Sequence, residues 1–208
     1  MGDNLTMDGT TALNARGLIV MDGDDLTLRF WNTSTTTLNG YGSSAPSINT
    51  AADGQWLKLE THDCDLKTVG VIRQVKSYTP DRTAIKTNKV VWDNKSMSFV
   101  PWGSTNSLVT TVEFARAKSY GVYIAGLDLN DVSKDNFYSD ALKSGSVSYD
   151  EREGEVTLNN VVCDMSCRSG SNSGILIYNS AVEDLKLKVV GTNTFTGYNG
   201  AVAMRIQN

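Results

Sequence analysis

Val122-Tyr123-Ile124-Ala125-Gly126-Leu127-Asp128-Leu129 holds the pattern from which the fold is read. Apolar and other side chains alternate on both sides of Ala125-Gly126. A period of two puts one set of side chains on one face, as in a half-buried strand, and glycine supplies the turn. The same unit recurs: an apolar residue ends a strand, one free residue follows, then Asn or Gly, then another short strand. It appears at Phe30-Trp31-Asn32, Trp92-Asp93-Asn94, Leu158-Asn159-Asn160, Ile177-Tyr178-Asn179 and Ile206-Gln207-Asn208. Leu59-Glu60-Thr61 keeps the spacing and breaks the residue rule. The resulting bend column is Asn32, Asn94, Gly126, Asn160, Asn179 and Asn208, and most of its intervals are close to thirty positions.

Further alternating stretches are Leu26-Thr27-Leu28-Arg29-Phe30, Leu57-Lys58-Leu59, Met97-Ser98-Phe99 and Leu185-Lys186-Leu187-Lys188-Val189. Helical periodicity is hard to find, and Gly, Asn, Asp and Ser separate the short strands, so the class is all-β. A repeat near thirty residues suits a solenoid, in which one coil cannot bury its apolar face and stacking makes a continuous core. Asn and Gly at the repeating bend fit this, because both tolerate the left-handed backbone region. Stacked Asn side chains can also hydrogen-bond along such a stack. The predicted architecture is a parallel β-helix; a β-sandwich or jelly roll stays open, since short alternating strands with turn signals look alike in both.

On these residues the chain resembles the right-handed parallel β-helix proteins of the pectin-lyase-like group, which include bacteriophage tailspikes and polysaccharide-degrading enzymes. The resemblance covers roughly residues 18–208 and is one of architecture, with no diagnostic peptide. It implies a phage tailspike- or fibre-like virion protein with a structural and host-attachment role, virion or extracellular location, a homotrimer, and docking to other virion proteins or to host-surface polysaccharide. The alternatives are an extracellular polysaccharide hydrolase or lyase on the same scaffold and a capsid-decorating or baseplate structural domain.

Within this frame residues 1–17 read as an N-terminal arm or cap and 18–208 as a single β-helix domain. Two polar excursions, 33–55 and 133–153, read as loops, the second with a hairpin. Asn208 falls on the bend position, so the chain is expected to stop inside a coil, with a partner or a continuation over that end.

Composition narrows the function classes. The 208 residues are 40% hydrophobic and 20% charged, which is globular. Nineteen Lys and Arg against 23 Asp and Glu leave a net charge of −4. A mildly acidic chain with no basic run is a poor partner for nucleic acid or an anionic membrane surface. No apolar run approaches the roughly 20 residues that span a bilayer. Met1-Gly2-Asp3 lacks the basic and apolar regions of a leader, and Asp3 argues against myristoylation at Gly2.

Three cysteines, Cys64, Cys163 and Cys167, are too few for a disulfide scaffold and read as reduced, mostly buried thiols. His62 is the only histidine. It reads as a surface residue; joining it with the three cysteines gives a zinc ligand count but not zinc spacing. No nucleophile elbow occurs, because Asn172 stands at the centre of Gly170–Gly174. Gly40-Tyr41-Gly42-Ser43-Ser44-Ala45 matches a dinucleotide fingerprint by letters only, since it opens no helix. No metal site is assigned, and no cofactor is expected beyond calcium held weakly by Asp22-Gly23-Asp24-Asp25.

Glycoside hydrolysis needs two carboxylates flanking a bond. Among many acidic pairs, Asp128 and Asp164 lie one coil apart in the repeat alignment and are the catalytic candidates. Their bland reading is solvated strand-face charge, and the balance leans away from an enzyme. Trp31 and Tyr178 occupy the free position of the bend, where side chains point outward. With Trp102 and Tyr123 they form the set of carbohydrate-binding candidates, because exposed rings stack on sugar faces. Trp92 sits at the preceding apolar position and reads as core.

Overall fold

A computed structural model describes residues 5–8, 18–20, 26–31, 36–40, 46–50, 56–104, 107–167, 175–178, 184–196 and 203–207. Among them there is no α-helix; a single 3-10 turn spans Met165–Cys167. The chain is all-β, in two compact units, Met1–Ala117 and Lys118–Asn208.

The first unit begins with nine strands: β1 (Leu5–Asp8), β2 (Leu18–Val20), β3 (Leu26–Trp31), β4 (Thr36–Asn39), β5 (Pro46–Thr50), β6 (Leu57–His62), β7 (Leu66–Val69), β8 (Val71–Ile72) and β9 (Val75–Asp81). They pair in threes. β1-β4-β7, β2-β5-β8 and β3-β6-β9 are three parallel ladders, so each strand bonds to the strand three elements further along. Leu5 faces Thr36 and Leu26 faces Leu57, each thirty-one positions on. The third round is shorter, with Leu57 facing Val75. Buried side chains from all three ladders share one core, including Leu38, Ile48, Leu57, Leu59, Leu66, Ile72 and Val75.

Three further strand groups close this unit: β10 (Thr83–Ile85), the hairpin β11 (Val90–Asp93) and β12 (Ser98–Pro101), and β13 (Thr111–Arg116). β13 runs antiparallel to β7, and β10 antiparallel to β13. The reversed strand ends the β1-β4-β7 ladder on that side, while β8 and β9 are the end strands of the other two ladders among the described residues. Tyr78, Trp92, Phe99 and Phe114 fill the core beneath, with Trp92–Phe99 centroids 5.0 Å apart and Tyr78–Phe99 5.2 Å. Trp92 is buried, as its strand position predicts.

The second unit contains β14 (Ser119–Ile124), β15 (Leu127–Asn130), β16 (Leu142–Asp150), β17 (Glu155–Asp164), β18 (Ile175–Tyr178), β19 (Lys186–Val190), β20 (Thr194–Thr196) and β21 (Met204–Gln207). Antiparallel pairing comes first: β14 with β15 and β18, and β16 with β17. Parallel pairing follows. β17 takes β19 and β20, and β18 takes β21, with Glu155 opposite Lys186 and Ile175 opposite Met204. These offsets of thirty-one and twenty-nine match the interval read from the sequence.

Left-handed residues mark the bends. Asp63 and Arg82 (φ 45° and 47°) follow the paired residues His62 and Asp81. In the second unit Gly145, Asn160 and Gly191 (φ 85°, 49° and 67°) come together on neighbouring strands. Asn160 Oδ1 accepts the Thr192 N–H at 3.2 Å, and Asn193 Oδ1 accepts the Val161 N–H at 2.8 Å. Asparagines here do link one strand layer to the next.

Several expectations are corrected. Asn94 lies in the β11–β12 turn and Gly126, with Ala125, in the two-residue β14–β15 turn, so neither turns a corner between parallel strands. Ala125 and Gly126 both have positive φ, as the primed turns of tight hairpins require. Asn160 and Val161 are linked to the Gly191–Asn193 segment. Asn32, Asn179 and Asn208 lie outside the described residues. The expected loop 33–55 holds β4 and β5, and the expected loop 133–153, read with a hairpin, holds all of β16, which pairs antiparallel with β17. Thr36 and Leu38 are buried with half-buried Thr37 between them, an alternation that threonine hides when it is read as polar. The expected arm 1–17 contributes β1 to the first ladder.

Candidate functional site

The outer face of β3-β6-β9 carries the most organised group of exposed functional side chains. In a parallel ladder in register, opposed residues project from the same face, so the sheet presents rows. One row is Arg29, Glu60 and Thr79; the next is Trp31, His62 and Asp81. The residues between them turn inward: Leu28 opposes Leu59 and Leu59 opposes Tyr78. Burial of that inner face fixes the outer one, because a slip of one residue would reverse both.

Trp31 is 53% exposed. Its ring stacks on the imidazole of His62 with centroids 3.7 Å apart and planes within 14°. The Arg29 guanidinium stands 5.9 Å from the indole centroid and donates to Glu60 at 2.6 Å. His62 is held from both nitrogens. Nδ1 meets the Asp81 carboxylate, and Nε2 lies 2.7 Å from Arg82 Nη2. A guanidinium only donates, so Nε2 accepts, and Nδ1 carries the hydrogen that Asp81 receives. The imidazole is thus a fixed floor under the indole, and the Asp63 and Arg82 bends position the groups that fix it. Beneath the sheet the Tyr78 hydroxyl meets Thr61 Oγ1 at 3.2 Å, and burial pushes its ionisation well above the ordinary tyrosine range.

The other carbohydrate-binding candidates lie outside β3, β6 and β9. Trp102 is half-buried in the turn after β12, with its backbone N–H on the Lys89 carbonyl at 2.7 Å. Tyr123 is half-buried on β14 opposite Asp128, and Tyr178 lies on β18 with its side chain outside the described residues. These two tyrosines belong to the second unit.

The catalytic candidates are also separated by sheet. Asp128 lies on β15, in the β15-β14-β18-β21 sheet, and Asp164 ends β17 in the other sheet of its unit. Ser119 Oγ donates to Asp128 at 2.5 Å. Burial raises the Asp128 carboxyl above its usual range, against the hydrogen bonds from Ser119 and Asn130 that lower it. Asp164 accepts the Ser166 N–H at 2.9 Å, and that backbone bond holds its carboxyl low.

A second polar group went unread in the sequence. Glu151 receives the Tyr120 hydroxyl and, at 2.6 Å, the Lys134 ammonium, while Tyr149 packs on Tyr120 with centroids 4.3 Å apart. No local motif joins positions 120, 134, 149 and 151, so only the fold could reveal it. His62 and Asp81 left a fainter signal, the alternating pairs Glu60/His62 and Thr79/Asp81.

Cys64 is buried in the first unit beside Thr83, and Cys163 in the second, with its Sγ 3.8 Å from Met165 Sδ; neither is in a disulfide. Among the described residues no three His, Cys, Asp or Glu side chains gather as a metal site. The Asp22–Asp25 stretch lies outside them. Among the described residues no helix is long and apolar enough to cross a membrane. No protein-family model, no curated protein and no solved structure matches this chain.

Proposed function

We propose that this chain is a virion-associated structural and attachment protein of the tailspike or fibre kind, built on a right-handed parallel β-helix, and that its β3-β6-β9 face binds host-surface glycan around Trp31. The architecture is supported by three parallel ladders that return every third strand and share one core. The sheets of a β-sandwich are typically antiparallel, with Greek-key connections. The right hand follows the rule for parallel crossovers. The trimer, the virion setting and docking to other virion proteins rest on the resemblance alone, and light scattering tests the trimer.

The single observation that carries the binding reading is Trp31, an exposed indole with one face backed by His62 and with charged hydrogen-bonding groups beside it. A rigid ring costs little entropy to present, and sugars stack their C–H faces on it. Trp31→Ala is expected to weaken binding of host lipopolysaccharide or capsular polysaccharide at least about tenfold, some 1.4 kcal/mol. Calorimetric titration reads this, with far-UV circular dichroism as the folding control. Unchanged affinity in the folded variant would remove the proposal.

Asp128 supports a second reading, a polysaccharide hydrolase or lyase, because a carboxyl raised by burial suits a general acid. Release of reducing ends or unsaturated products that is lost in Asp128→Asn, and in Asp164→Asn, would replace the binding reading with this one.

A further inference from the structure

At the centre of the Trp31 face one imidazole nitrogen stands against a guanidinium. The His62 side chain is 13% exposed, beneath the indole, while Asp81 and Arg82 beside it are 60% and 59% exposed. Asp81 fixes Nδ1, so the Nε2 lone pair points at Arg82 Nη2, 2.7 Å away. A proton arriving from solvent would occupy this same nitrogen. The two cannot share it, because an imidazolium has only N–H groups and accepts nothing. Histidine is also the side chain whose charge ordinarily changes between pH 5 and 8.

The surrounding charges set what a proton there would do. On the same face Arg29 from β3 is held by Glu60 from β6, and Lys58 lies two rows from His62, opposite Ser77. Asp81 from β9 meets Nδ1 and also stands 4.0 Å from Arg82 Nε. Asp63 follows His62 at its bend, and its N–H donates to the Asp81 carbonyl at 3.0 Å. From β13, Arg116 pairs opposite Thr83 and is held by Asp65 at 3.5 Å. A proton at Nε2 therefore adds one positive charge beside Trp31, where Arg29 already has its carboxylate. The Arg82 backbone is anchored, because its carbonyl accepts the Ala117 N–H at 2.9 Å. Its exposed guanidinium is the part that turns toward solvent.

We infer that Arg82 is a proton-gated anion subsite: protonation of His62 at Nε2 breaks the imidazole–guanidinium bond, and the released guanidinium takes an acidic group of the ligand, a carboxylate or phosphate, beside Trp31. The proton comes from solvent, and the Arg82 N–H passes from Nε2 to the anion oxygen. For glycan binding this rests on the reading of Trp31 as the sugar platform; the gate itself does not.

Sulfate, doubly charged at both pH 5 and pH 8, is the probe for the gate, used on the full chain at constant ionic strength. Its affinity, read by NMR from the Arg82 Nε–H resonance, is expected to be at least about threefold higher at pH 5, because one more positive charge stands near it. Coupling is reciprocal, so sulfate is expected to tighten proton binding at His62 by the same factor. His62 is the only histidine, so its ring nitrogens are read without ambiguity. At pH 8 Nδ1 is expected to carry the hydrogen and Nε2 none. His62→Gln, which accepts but does not titrate, is expected to erase the pH effect, and Arg82→Gln to remove sulfate binding at both values. If circular dichroism shows His62→Gln unfolded, the reciprocal effect in the wild type decides. Host lipopolysaccharide is expected to bind wild type about two- to fivefold more tightly at pH 5 than at pH 8, relative to His62→Gln. A hydrogen on Nε2 at pH 8, equal sulfate affinity at the two values, or a lipopolysaccharide ratio that His62→Gln leaves unchanged overturns the inference. Unchanged lipopolysaccharide affinity in Trp31→Ala would remove the glycan reading instead, and the sulfate result would still confirm or overturn the gate.

Discussion

Replacing Gly191 by alanine would place a methyl carbon 2.2 Å from Asn160 Oδ1 and 2.7 Å from its Cγ. The backbone at Gly191 has φ 67°, where a residue with a Cβ costs about 1–2 kcal/mol. The colliding atoms belong to a side chain, so the Asn160 amide can rotate away. It then gives up the Thr192 N–H, a bond worth about 1 kcal/mol net. Gly191→Ala is therefore expected to destabilise the second unit by about 2–3 kcal/mol. Asn160→Gly loses the same bond while meeting φ 49° without strain, for about 1–2 kcal/mol once added unfolded-chain freedom is counted. In the double variant the bond is lost only once and nothing collides. The two effects are thus expected to fall short of additivity by about 1 kcal/mol. All four tryptophans, Trp31, Trp56, Trp92 and Trp102, belong to the first unit, so their fluorescence during urea unfolding is the control. Amide exchange at Thr192 and Val161 is the readout. Strict additivity, or an unchanged Thr192 amide in Gly191→Ala, would refute the linkage between the two bends.

Tyr78→Phe leaves buried Thr61 without its hydroxyl partner and is expected to cost about 1–2 kcal/mol, whereas Tyr78→Phe with Thr61→Val, which removes both polar groups, is expected to recover most of it. Tryptophan fluorescence in urea reads both, and equal losses would count against the hydrogen bond. Asp128 has a carboxyl raised mainly by burial, so its contribution is fully present below the unfolded value of about 3.9 and is lost as pH rises through the folded value. Wild type should accordingly gain stability on acidification relative to Asp128→Asn, measured as the gap between their unfolding midpoints by circular dichroism; a gap that does not change with pH would show that the carboxyl is not held up.

The strand content and the interval near thirty were legible because a half-buried strand must alternate and a repeated layer must bury the same face. Ile177-Tyr178 and Ile206-Gln207 were matched by pattern, and they do pair in register. Asn160 is expected at a bend, and its backbone within β17 is left-handed. Gly126 imitates this because a hairpin turn and a corner between parallel strands ask the same left-handed conformation of the backbone, whereas in the β11–β12 turn the left-handed residue is Met97 and not Asn94. Local chemistry cannot tell them apart; the partner strand decides, and it lies far away in sequence. The site shows the same limit more sharply. Trp31 was picked out as an exposed aromatic residue, but the groups that fix its surroundings were not. His62 is thirty-one positions on, within reach of a constant period, yet Asp81 comes only nineteen after that. The third round drops the long connections that precede β5 and β6, so any column drawn at a constant interval misses β9 and runs on to Asn94. What holds β9 in place is the inner face, where Leu28, Leu59 and Tyr78 stand in line. The Trp31-His62-Asp81 row is thus set by burial on the opposite side of the same strands, and a constant period counted along the chain reaches His62 but not Asp81.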